Sequence, residues 1–442
     1  MTPQLEFSRM KLQLLPHQIE ALNVLSDKNR VLIAHDMGLG KTFTGAEKMH
    51  ELNNPVNIVI CQKSKIDDWI RHFMAYYPDM EVYNLTKKTG SIGFKNRVDA
   101  GDIGDDEMIV GVINYELIFR RSYFNHISGF TMMLDESSMI KNEATKRARF
   151  ILRMHPESVI MLSGTPTAGK YEYLWSQCKL LGWDISKRAF WNSYIITKWV
   201  DYGNGYQHEE VVGYKNVDHL KKKLREHGAV FLKTSEVMTL PDQVDQNIYL
   251  EQTEEYKDFK KDRYLLMKDG TELIGDNSLT RILYERQLCG QYHKKKLEAF
   301  RDLLNSTEDR IIVFYNFTAE MELLRVICTE EGRPVSILNG KTKDLQHYEE
   351  DSNSVTLIQY QAGAMGGNFQ KSNRIVYFTL PLGKGSCDLW EQSKKRIHRI
   401  GQSRTCFYYY LLVKYSIETK NLESLKLGRD LTDELFIEER GK

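Results

Sequence analysis

The stretch VLIAHDMGLGKT, residues 31–42, decides the fold class of this 442-residue chain. Its apolar residues at positions 31–34 predict a buried strand, and the glycine turn that follows leads into a helix. Glycines let backbone N–H groups approach phosphate oxygens, and a helix N-terminus adds partial positive charge. In this pattern Lys41 reaches the β- and γ-phosphates, and the Thr42 hydroxyl is a ligand of Mg²⁺. The candidate phosphate-binding residues are Met37, Gly38, Leu39, Gly40, Lys41 and Thr42.

The composition indicates a soluble globular protein with two domains. Hydrophobic residues make up 41% of the chain and charged residues 27%, and 442 residues exceed what one core usually holds. No run of about 18 apolar residues predicts a membrane span. Six scattered cysteines without a CxxC pair favour free thiols in a reducing cytosol. The net charge of +1 neither supports nor excludes a nucleic-acid partner.

Two series of short apolar runs alternate with helix-length segments along the chain. This alternation predicts an α/β protein with two lobes, each built on a parallel sheet. The runs are residues 31–34, 56–61, 108–113, 131–134 and 159–162, then residues 311–315, 335–338, 355–359, 374–378 and 407–413. We expect ligands at the carboxyl ends of these strands. A boundary near Leu240 gives lobe 1, residues 1–240, and lobe 2, residues 241–442.

Each lobe also contains a segment that departs from this alternation. Residues 170–235 are rich in aromatic and basic side chains, and we interpret them as a mostly helical insertion. Residues 251–300 predict a second helical block, whose aromatic and leucine side chains at near-helical spacing are Tyr256, Phe259, Tyr264, Leu265 and Leu266. Such spacing is typical of the core of a helical bundle.

Paired acids follow the strand predicted at residues 131–134. In a chain that has a phosphate loop, Asp135 and Glu136 suit Mg²⁺ binding and water activation. We expect Asp135 to hold Mg²⁺ through water and Glu136 to polarise the attacking water. The turn LSGTP, residues 162–166, ends another predicted strand, and its hydroxyls suit a link between the phosphate site and the other lobe.

Arg396 and Arg399 are the candidates for stabilising the transferred phosphoryl group. They are three residues apart, so both can project from one face of a helix. Negative charge that develops during phosphoryl transfer calls for arginine. His398, which lies between them, is more typical of a structural residue than of a catalytic one.

These motifs resemble, in order along the chain, those of the Swi/Snf-type ATPases of helicase superfamily two. HDMGLGKT resembles the family's DEMGLGKT, DESSMIKN resembles DEAHRIKN, LSGTP resembles LTGTP, and RIHRIGQ is among the family's most specific strings. The resemblance covers nearly the whole chain and suits a compact member of the prokaryotic or phage kind. It implies two RecA-like lobes with helical insertions, ATP and Mg²⁺ bound between the lobes, and a contact between Gln18 and the adenine base.

The same resemblance implies where DNA is bound. One motif covers residues 59–65, the next begins at Asn114, and a glycine-rich motif at residues 361–368 links DNA contact to the nucleotide. The residues implied to contact DNA are Lys63, Ser64, Asn114, Tyr115, Gln361, Ala362 and Gly363. Gly366 is implied to contact the nucleotide.

A few positions depart from the family pattern. His35 stands where an acidic residue is usual, Ser137 and Ser138 replace Ala-His, and Lys395 replaces an aspartate. The coupling role of that histidine is therefore not carried over to this chain. The candidate catalytic residues are all present, and they are Lys41, Asp135, Glu136, Arg396 and Arg399. We therefore expect an active ATPase.

Our main hypothesis is an ATP-driven translocase on double-stranded DNA that moves along or remodels DNA or protein–DNA complexes. We expect a monomeric motor without a membrane partner, targeted by a protein partner, in the cytoplasm of a bacterial or phage-infected cell, or in the nucleus of a eukaryote. An alternative with the same core motifs is a helicase that unwinds or anneals strands at forks or on RNA. A third hypothesis is a nucleotide-gated binding scaffold, against which the retained catalytic residues argue.

Overall fold

The computed structural model describes residues 12–36, 38–101, 103–104, 107–164, 166, 170–201, 207–237, 239–360, 367–383 and 385–427. The chain divides into two compact units, which we call unit 1, ending at Thr239, and unit 2, beginning at Leu240. Within these described ranges, no helix is long and apolar enough to cross a membrane. All six cysteines are free thiols, as the sequence predicts.

Unit 1 is built on a parallel sheet. Its strands are β1 (Arg30–His35), β2 (Val56–Cys61), β3 (Met80–Asn84), β4 (Met108–Asn114), β5 (Thr131–Asp135), β6 (Ser158–Leu162), β7 (Ile195–Asp201), β8 (Gln207–Tyr214) and β9 (Ala229–Leu232). Seven of them form one sheet in the order β3-β4-β2-β5-β6-β1-β9, and every neighbouring pair in it is parallel. The pair β7 and β8 forms a separate antiparallel hairpin.

Helices cover both faces of this sheet. They are α1 (Pro16–Val24), α2 (Lys41–Glu51), α3 (Ile66–Tyr76), α4 (Lys88–Ala100), α5 (Tyr115–Ile118), α6 (Lys146–Ile151), α7 (Trp175–Leu180), α8 (Lys187–Tyr194), α9 (Val217–Glu226) and α10 (Thr234–Val237). Alternate residues of β1 enter opposite hydrophobic clusters, since Leu32 lies in one while Val31 and Ile33 lie in the other. A strand buried on both faces is apolar throughout, which is why an unbroken apolar run marks β1 in the sequence.

The insertion at residues 170–235 is helical only in part. The helices α7, α8 and α9 lie within it and α10 begins at its end. However, β7 and β8 form a hairpin, and β9 pairs with β1 as the last strand of the main sheet. The hairpin sequences IITKWVD and QHEEVVGY are rich in β-branched residues, which favour strands. The expectation of a mostly helical insertion was therefore wrong for β7, β8 and β9.

Unit 2 has the same architecture as unit 1. Its strands are β10 (Gln243–Leu250), β11 (Tyr264–Leu266), β12 (Glu272–Ile274), β13 (Ile311–Tyr315), β14 (Val335–Leu338), β15 (Lys343–Asp344), β16 (Val355–Gln359), β17 (Arg374–Tyr377) and β18 (Cys406–Val413). The main sheet has the order β10-β18-β17-β13-β16-β14-β15, and only its β14–β15 pair is antiparallel among the described pairs. The helices are α11 (Glu254–Asp262), α12 (Ser278–Cys289), α13 (Lys294–Asn305), α14 (Thr318–Glu330), α15 (Gln346–Glu350), α16 (Ser386–Lys394) and α17 (Ile417–Lys426).

The helical block at residues 251–300 contains a β-hairpin as well. Tyr256 and Phe259 lie buried on α11, as expected of a helical core. Tyr264 and Leu266 lie on β11, and both are exposed, so their near-helical spacing was misleading. The helix ends at Asp262 because Arg263 takes a left-handed conformation with φ of 57°. Each unit is nonetheless a parallel sheet covered by helices, which confirms the expected α/β fold with two RecA-like lobes.

Candidate nucleotide site

The phosphate loop, residues 36–40, connects β1 to α2. Gly38 and Gly40 have φ angles of 94° and 72°, in the left-handed region that residues with a Cβ rarely adopt. A Cβ at Gly40 would lie 2.3 Å from Nε2 of Gln18. The two glycines therefore allow both the turn and the close approach of α1, and α2 begins directly after the loop at Lys41.

The Lys41 ammonium lies against the phosphate loop. Its Nζ donates to the carbonyl oxygens of His35 over 2.8 Å and of Asp36 over 3.1 Å. Asp36 in turn accepts, through Oδ2, from the backbone N–H and the hydroxyl of Thr234. The positive charge is thus placed on the same loop whose backbone would surround a phosphate, which suits the role predicted for Lys41.

Gln18 is buried and contacts the phosphate loop from α1. Its Nε2 donates to the carbonyl oxygens of Leu39 and Gly40, both over 3.2 Å, and its Oε1 accepts from the N–H of Leu15 over 2.8 Å. His17 Nε2 also lies 3.0 Å from the Leu39 oxygen. The structure therefore joins Gln18 to the loop, while its contact with adenine stays a prediction.

Asp135 ends β5, and only β6 separates β5 from β1 in the sheet. Burial raises the pKa of Asp135, whereas the hydrogen bond from Trp69 and the charges of Lys65 and Lys41 act in the opposite direction. The Trp69 indole N–H donates to Oδ2 of Asp135 over 2.9 Å. The loop lysine and the carboxylate expected to hold Mg²⁺ are therefore within electrostatic reach of each other.

Glu136 follows in an unusual backbone conformation. Its φ of 58° is left-handed, which a residue with a Cβ keeps only where its surroundings require it. The Tyr115 hydroxyl donates to the carbonyl oxygen of Asp135 over 2.9 Å and lies 3.3 Å from that of Glu136. The hydroxyl of the buried Tyr115 thus holds the backbone of the two acids in place through their carbonyl oxygens.

The contacts of DNA with Asn114 and Tyr115 stay a prediction, and the structure shows both residues buried. Tyr115 is 0% exposed and Asn114 is 4% exposed. Asn114 donates through Nδ2 to Glu116 over 2.8 Å, and the ring of Tyr115 belongs to the hydrophobic core. Both residues lie where strand β4 ends and α5 begins, and both are covered by neighbouring elements. The resemblance identified the motif but not which of its side chains are exposed.

Lys63 and Ser64 differ from that pair in their exposure. They lie in a short 3₁₀ turn, Lys63–Lys65, directly after β2, where Lys63 is exposed and Ser64 is half-buried. Their contact with DNA stays a prediction. The predicted site residues Met37, Gln361, Ala362, Gly363 and Gly366 lie outside the described residues.

The two arginines of unit 2 do not lie on a helix. Helix α16 ends at Lys394, and Arg396 and Arg399 belong to the turns that follow it, which corrects the expectation of a shared helix face. Arg396 is buried, and its Nη1 lies 3.4 Å from the Gly367 carbonyl oxygen. Arg399 donates to Oδ1 of Asn368, and burial lowers its pKa. Both arginines therefore contact the last two residues of the predicted glycine-rich motif, Gly367 and Asn368.

The donor set fits Mg²⁺ better than a transition metal. No group of three or more His, Cys, Asp or Glu side chains that could hold a metal occurs in the described part of the chain. Magnesium usually keeps several waters and takes only one or two protein ligands beside the phosphates. Thr42 and Asp135, the two residues predicted to hold Mg²⁺, would be a set of this kind. Cys289 and His293 are not a metal pair, since His293 Nε2 lies 3.0 Å from the Glu251 oxygen and Nδ1 accepts from the Lys296 N–H.

Sequence reasoning missed two residues of this region. Trp69 lies four residues after the motif at residues 59–65, and its indole N–H donates to Oδ2 of Asp135. Gln177 binds the residue that follows Glu136, and nothing in the sequence marks it. Neither contact is between sequence neighbours, so neither has a local signal.

Family comparisons identify both parts of the chain. Residues 17–294 match the SNF2-related domain, and residues 295–401 match the helicase conserved C-terminal domain. The chain belongs to the SNF2-related family. This confirms the resemblance to Swi/Snf-type ATPases of helicase superfamily two, and with it the enzyme class, a helicase-like ATPase.

Individual relatives are distant. The ISWI chromatin-remodeling complex ATPase ISW2 of Saccharomyces cerevisiae is 22% identical, covering 92% of this chain and 39% of that protein. The SWI/SNF-related matrix-associated actin-dependent regulator of chromatin subfamily A member 1 of Mus musculus is 23% identical, covering 93% and 42%. The DNA annealing helicase and endonuclease ZRANB3 of Bos taurus is 22% identical, covering 94% and 40%. The chain thus spans about two-fifths of the length of these relatives. A solved structure, the Sulfolobus solfataricus SWI2/SNF2 ATPase core in complex with dsDNA, has 19% identity and a TM-score of 0.45, covering 96% of this chain and 93% of that one.

Proposed function

We propose that this SNF2-family chain is an ATP-driven translocase on double-stranded DNA. The observation that carries the proposal is the proximity of the phosphate loop and Asp135, at strand ends separated by a single strand, with the Lys41 charge acting on the carboxylate. This is the arrangement that phosphoryl transfer requires, with a cation on the phosphates and an acid for Mg²⁺. Relatives named as chromatin-remodeling ATPases support DNA as the track.

The residues of unit 1 divide the work of hydrolysis. In this proposal the phosphate loop and Lys41 bind the phosphates of ATP, and Thr42 and Asp135 hold the Mg²⁺ that neutralises their charge. Glu136 orients the attacking water and accepts its proton. The left-handed backbone at Glu136, supported by Tyr115, supports this assignment because it fixes the direction in which the carboxylate leaves the chain.

We assign Arg396 and Arg399 of unit 2 to the negative charge that develops on the transferred phosphoryl group. Arginine in this role contributes on the order of 10³ to 10⁵ in rate. The burial of Arg396 and the contact of Arg399 with Asn368 support the assignment, since a held guanidinium loses less entropy when it binds. Hydrolysis then depends on residues of both units, which is how turnover would be coupled to movement.

DNA is proposed to be bound mainly through its phosphates. Lys63, exposed after β2, suits such a contact, and contacts of this kind carry little sequence information. Binding should therefore be weakly specific and should weaken steeply with salt. We further propose that the chain acts as a monomer, that a protein partner targets it, and that it works where DNA is present, in a bacterial or phage-infected cytoplasm or in a nucleus.

An annealing or unwinding helicase is the second candidate. The observation in its favour is the relative named as a DNA annealing helicase, which matches this chain as broadly as the remodelling ATPases do. The core motifs are the same in both cases, so the reaction at the phosphates does not separate them. A strand-displacement and annealing assay with a fluorescent duplex separates the two candidates, because only the helicase would separate or anneal strands lastingly.

The proposed function is tested by steady-state ATP hydrolysis without nucleic acid and with duplex DNA, single-stranded DNA or RNA. The blank is Glu136→Gln, which keeps the size of the side chain and removes its charge. We expect duplex DNA to stimulate hydrolysis by the natural chain at least tenfold above single strands or RNA, on the order of 1.4 kcal/mol. Stimulation by single strands or RNA alone would favour the helicase, and no stimulation at all would contradict both.

A further inference from the structure

A glutamine on α7 joins two loops beside the nucleotide site. The Ser137 hydroxyl donates to Oε1 of Gln177 over 2.9 Å, and Nε2 of Gln177 donates to the carbonyl oxygen of Pro166 over 2.7 Å. Ser137 directly follows Glu136, and Pro166 belongs to the turn that follows β6. The amide therefore bridges the loops after β5 and β6, which are neighbouring strands of the sheet.

Both side chains of this bridge are inaccessible to solvent. Ser137 and Gln177 are each 0% exposed. An amide has an acceptor at one end and a donor at the other, so it satisfies a hydroxyl and a carbonyl together in only one orientation. A buried polar network whose members are all satisfied holds its surroundings in one arrangement. The bridge thus sets the distance between the loop after Glu136 and the turn at Pro166.

The bridge also completes the support of a strained residue. Glu136 has a left-handed φ of 58°, a conformation that costs a residue with a Cβ roughly 1 kcal/mol or more. Tyr115 holds the backbone on the N-terminal side through the Asp135 oxygen, and Ser137 holds it on the C-terminal side through Gln177. With both flanks held, the direction of the Glu136 side chain is determined by buried contacts.

We propose that Gln177 is a positioning residue for Glu136, acting through its hydrogen bond with Ser137. The inference rests on the proposed function, in which Glu136 acts on ATP. Ser137-Ser138 stands where the family has Ala-His, so this chain lacks the usual histidine and has a serine in contact with a buried amide. The serine–glutamine bridge is therefore a connection that belongs to this chain's own sequence.

The test uses the full chain with Ser137→Ala, Gln177→Met and the double variant. Methionine keeps the shape of glutamine and removes both hydrogen bonds. Because each change breaks the same bridge, we expect each single variant to lower kcat about tenfold, with the double variant no slower than the singles. The KM for ATP should stay within about twofold, since the bridge does not touch the phosphate loop.

Ser176→Ala is the matched control. Ser176 precedes Gln177 on α7, it is 1% exposed, and its hydroxyl has no hydrogen-bond partner within the described part of the chain. The substitution Ser176→Ala therefore removes a buried hydroxyl from the same helix and leaves both hydrogen bonds of the bridge intact. We expect its kcat and KM to equal those of the natural chain.

Thermal unfolding separates positioning from stability. Replacing both partners by apolar groups is less destabilising than leaving one of them unpaired. The double variant should therefore have a higher melting temperature than Ser137→Ala, while its kcat should stay as low. Three results would each overturn the inference. The double variant could recover kcat together with melting temperature, or its loss of kcat could equal the product of the two single losses. The third result is a Gln177→Met variant with a normal kcat.

The natural chain distinguishes this inference from the proposed function. If duplex DNA fails to stimulate the natural chain, the proposed function fails, while the intrinsic rates of the variants still decide the inference. If duplex DNA stimulates the natural chain and the variants reach the same kcat as the natural chain, the inference alone fails. Absence of any hydrolysis by the natural chain would overturn both.

Discussion

Asp135 lies in surroundings that disfavour its charge, and single neighbouring residues compensate for this. Burial raises the pKa of the carboxyl group, while the Trp69 indole N–H donates to it over 2.9 Å and the charges of Lys65 and Lys41 favour its ionised form. A charged carboxylate is the form that binds Mg²⁺. In the proposed function, the buried Trp69 would therefore act on Mg²⁺ through Asp135 without contacting the ion itself.

Trp69→Phe should weaken the response to Mg²⁺. The substitution removes the N–H donor and keeps an aromatic ring in the core, so the pKa of Asp135 should rise further. Loss of a partner of this kind costs about 10- to 100-fold in metal affinity, so we expect the Mg²⁺ concentration for half-maximal hydrolysis to rise about tenfold. The measurement is a Mg²⁺ titration of the hydrolysis rate.

Trp175→Phe is the control for that titration. Trp175 Nε1 also donates a hydrogen bond, to the Ile185 carbonyl oxygen over 3.0 Å, but it has no contact with Asp135. The control should leave the Mg²⁺ dependence unchanged. An unchanged Mg²⁺ midpoint in Trp69→Phe as well would show that the indole does not tune the site.

Gly40→Ala should weaken nucleotide binding. The added Cβ would lie 2.3 Å from Nε2 of Gln18, at a φ of 72° that a methyl-bearing residue rarely adopts. We expect at least a tenfold loss of affinity in a titration with a fluorescent ATP analogue, about 1.4 kcal/mol. Gly101→Ala has a similar φ of 61° with open space around it, so it should cost about 1 kcal/mol of stability and leave binding intact. Equal affinities for the two variants would contradict the role of the loop.

At the scale of elements, the sequence predicted the inner strands and missed the outer ones. Strands such as β1 and β13 are buried on both faces, so each is an apolar run that stands out. The four unpredicted strands of the main sheets, β3, β9, β10 and β15, are the edge strands of their sheets. An edge strand such as β10, with the sequence QVDQNIYL, is mostly exposed and therefore mixes polar with apolar residues.

The same contrast applies to the candidate site. Lys41 and Asp135 could be predicted because a loop and an acid at strand ends are local patterns. The burial of Tyr115 and the turn at Arg396 could not, since each depends on which neighbouring element covers the residue. Sequence spacing gives the residues of a motif, whereas the direction in which each side chain points is set by packing.

The contact between α13 and α17 gives a prediction at this scale. Lys296 and Glu418 form a buried ion pair between these helices, and burial raises the pKa of Glu418 while Lys296 opposes the rise. Lys296→Met leaves a buried carboxylate unpaired, which costs about 3–5 kcal/mol. We expect calorimetry to show a fall in melting temperature of roughly 10 °C. The double variant Lys296→Met with Glu418→Gln should recover most of this, and a double variant as unstable as the single one would contradict the account.

At the scale of the whole molecule, stability should depend on pH through two histidines of unit 1, the buried His35 and the half-buried His72. The pKa of His35 is lowered to about 4, first by burial and then by the charges of Lys41 and His17, and burial lowers that of His72 to about 4. Histidine in the unfolded chain has a pKa near 6.5. Between pH 6.5 and 4 these two histidines are therefore protonated in the unfolded chain and mostly neutral in the folded chain. Stability is therefore complete above pH 6.5 and is lost as the pH falls.

Melting temperatures measured from pH 8 to pH 5 check this dependence. We expect a loss on the order of 1–2 kcal/mol per ring at pH 5, and a smaller slope in the variant His35→Gln with His72→Gln. His126→Gln changes an exposed histidine and should keep the slope of the natural chain. A slope unchanged by the double variant would show that other groups carry the pH dependence.

The central claim concerns the two units together, namely that hydrolysis moves the chain along duplex DNA. The most direct measurement is the ATP-dependent release of a labelled third strand from a triplex that lies on a duplex track, with Glu136→Gln as the blank. The account predicts release by the natural chain that requires ATP, a duplex arm leading to the triplex and Glu136, while the duplex itself stays paired. Duplex-stimulated hydrolysis without release of the third strand would contradict it.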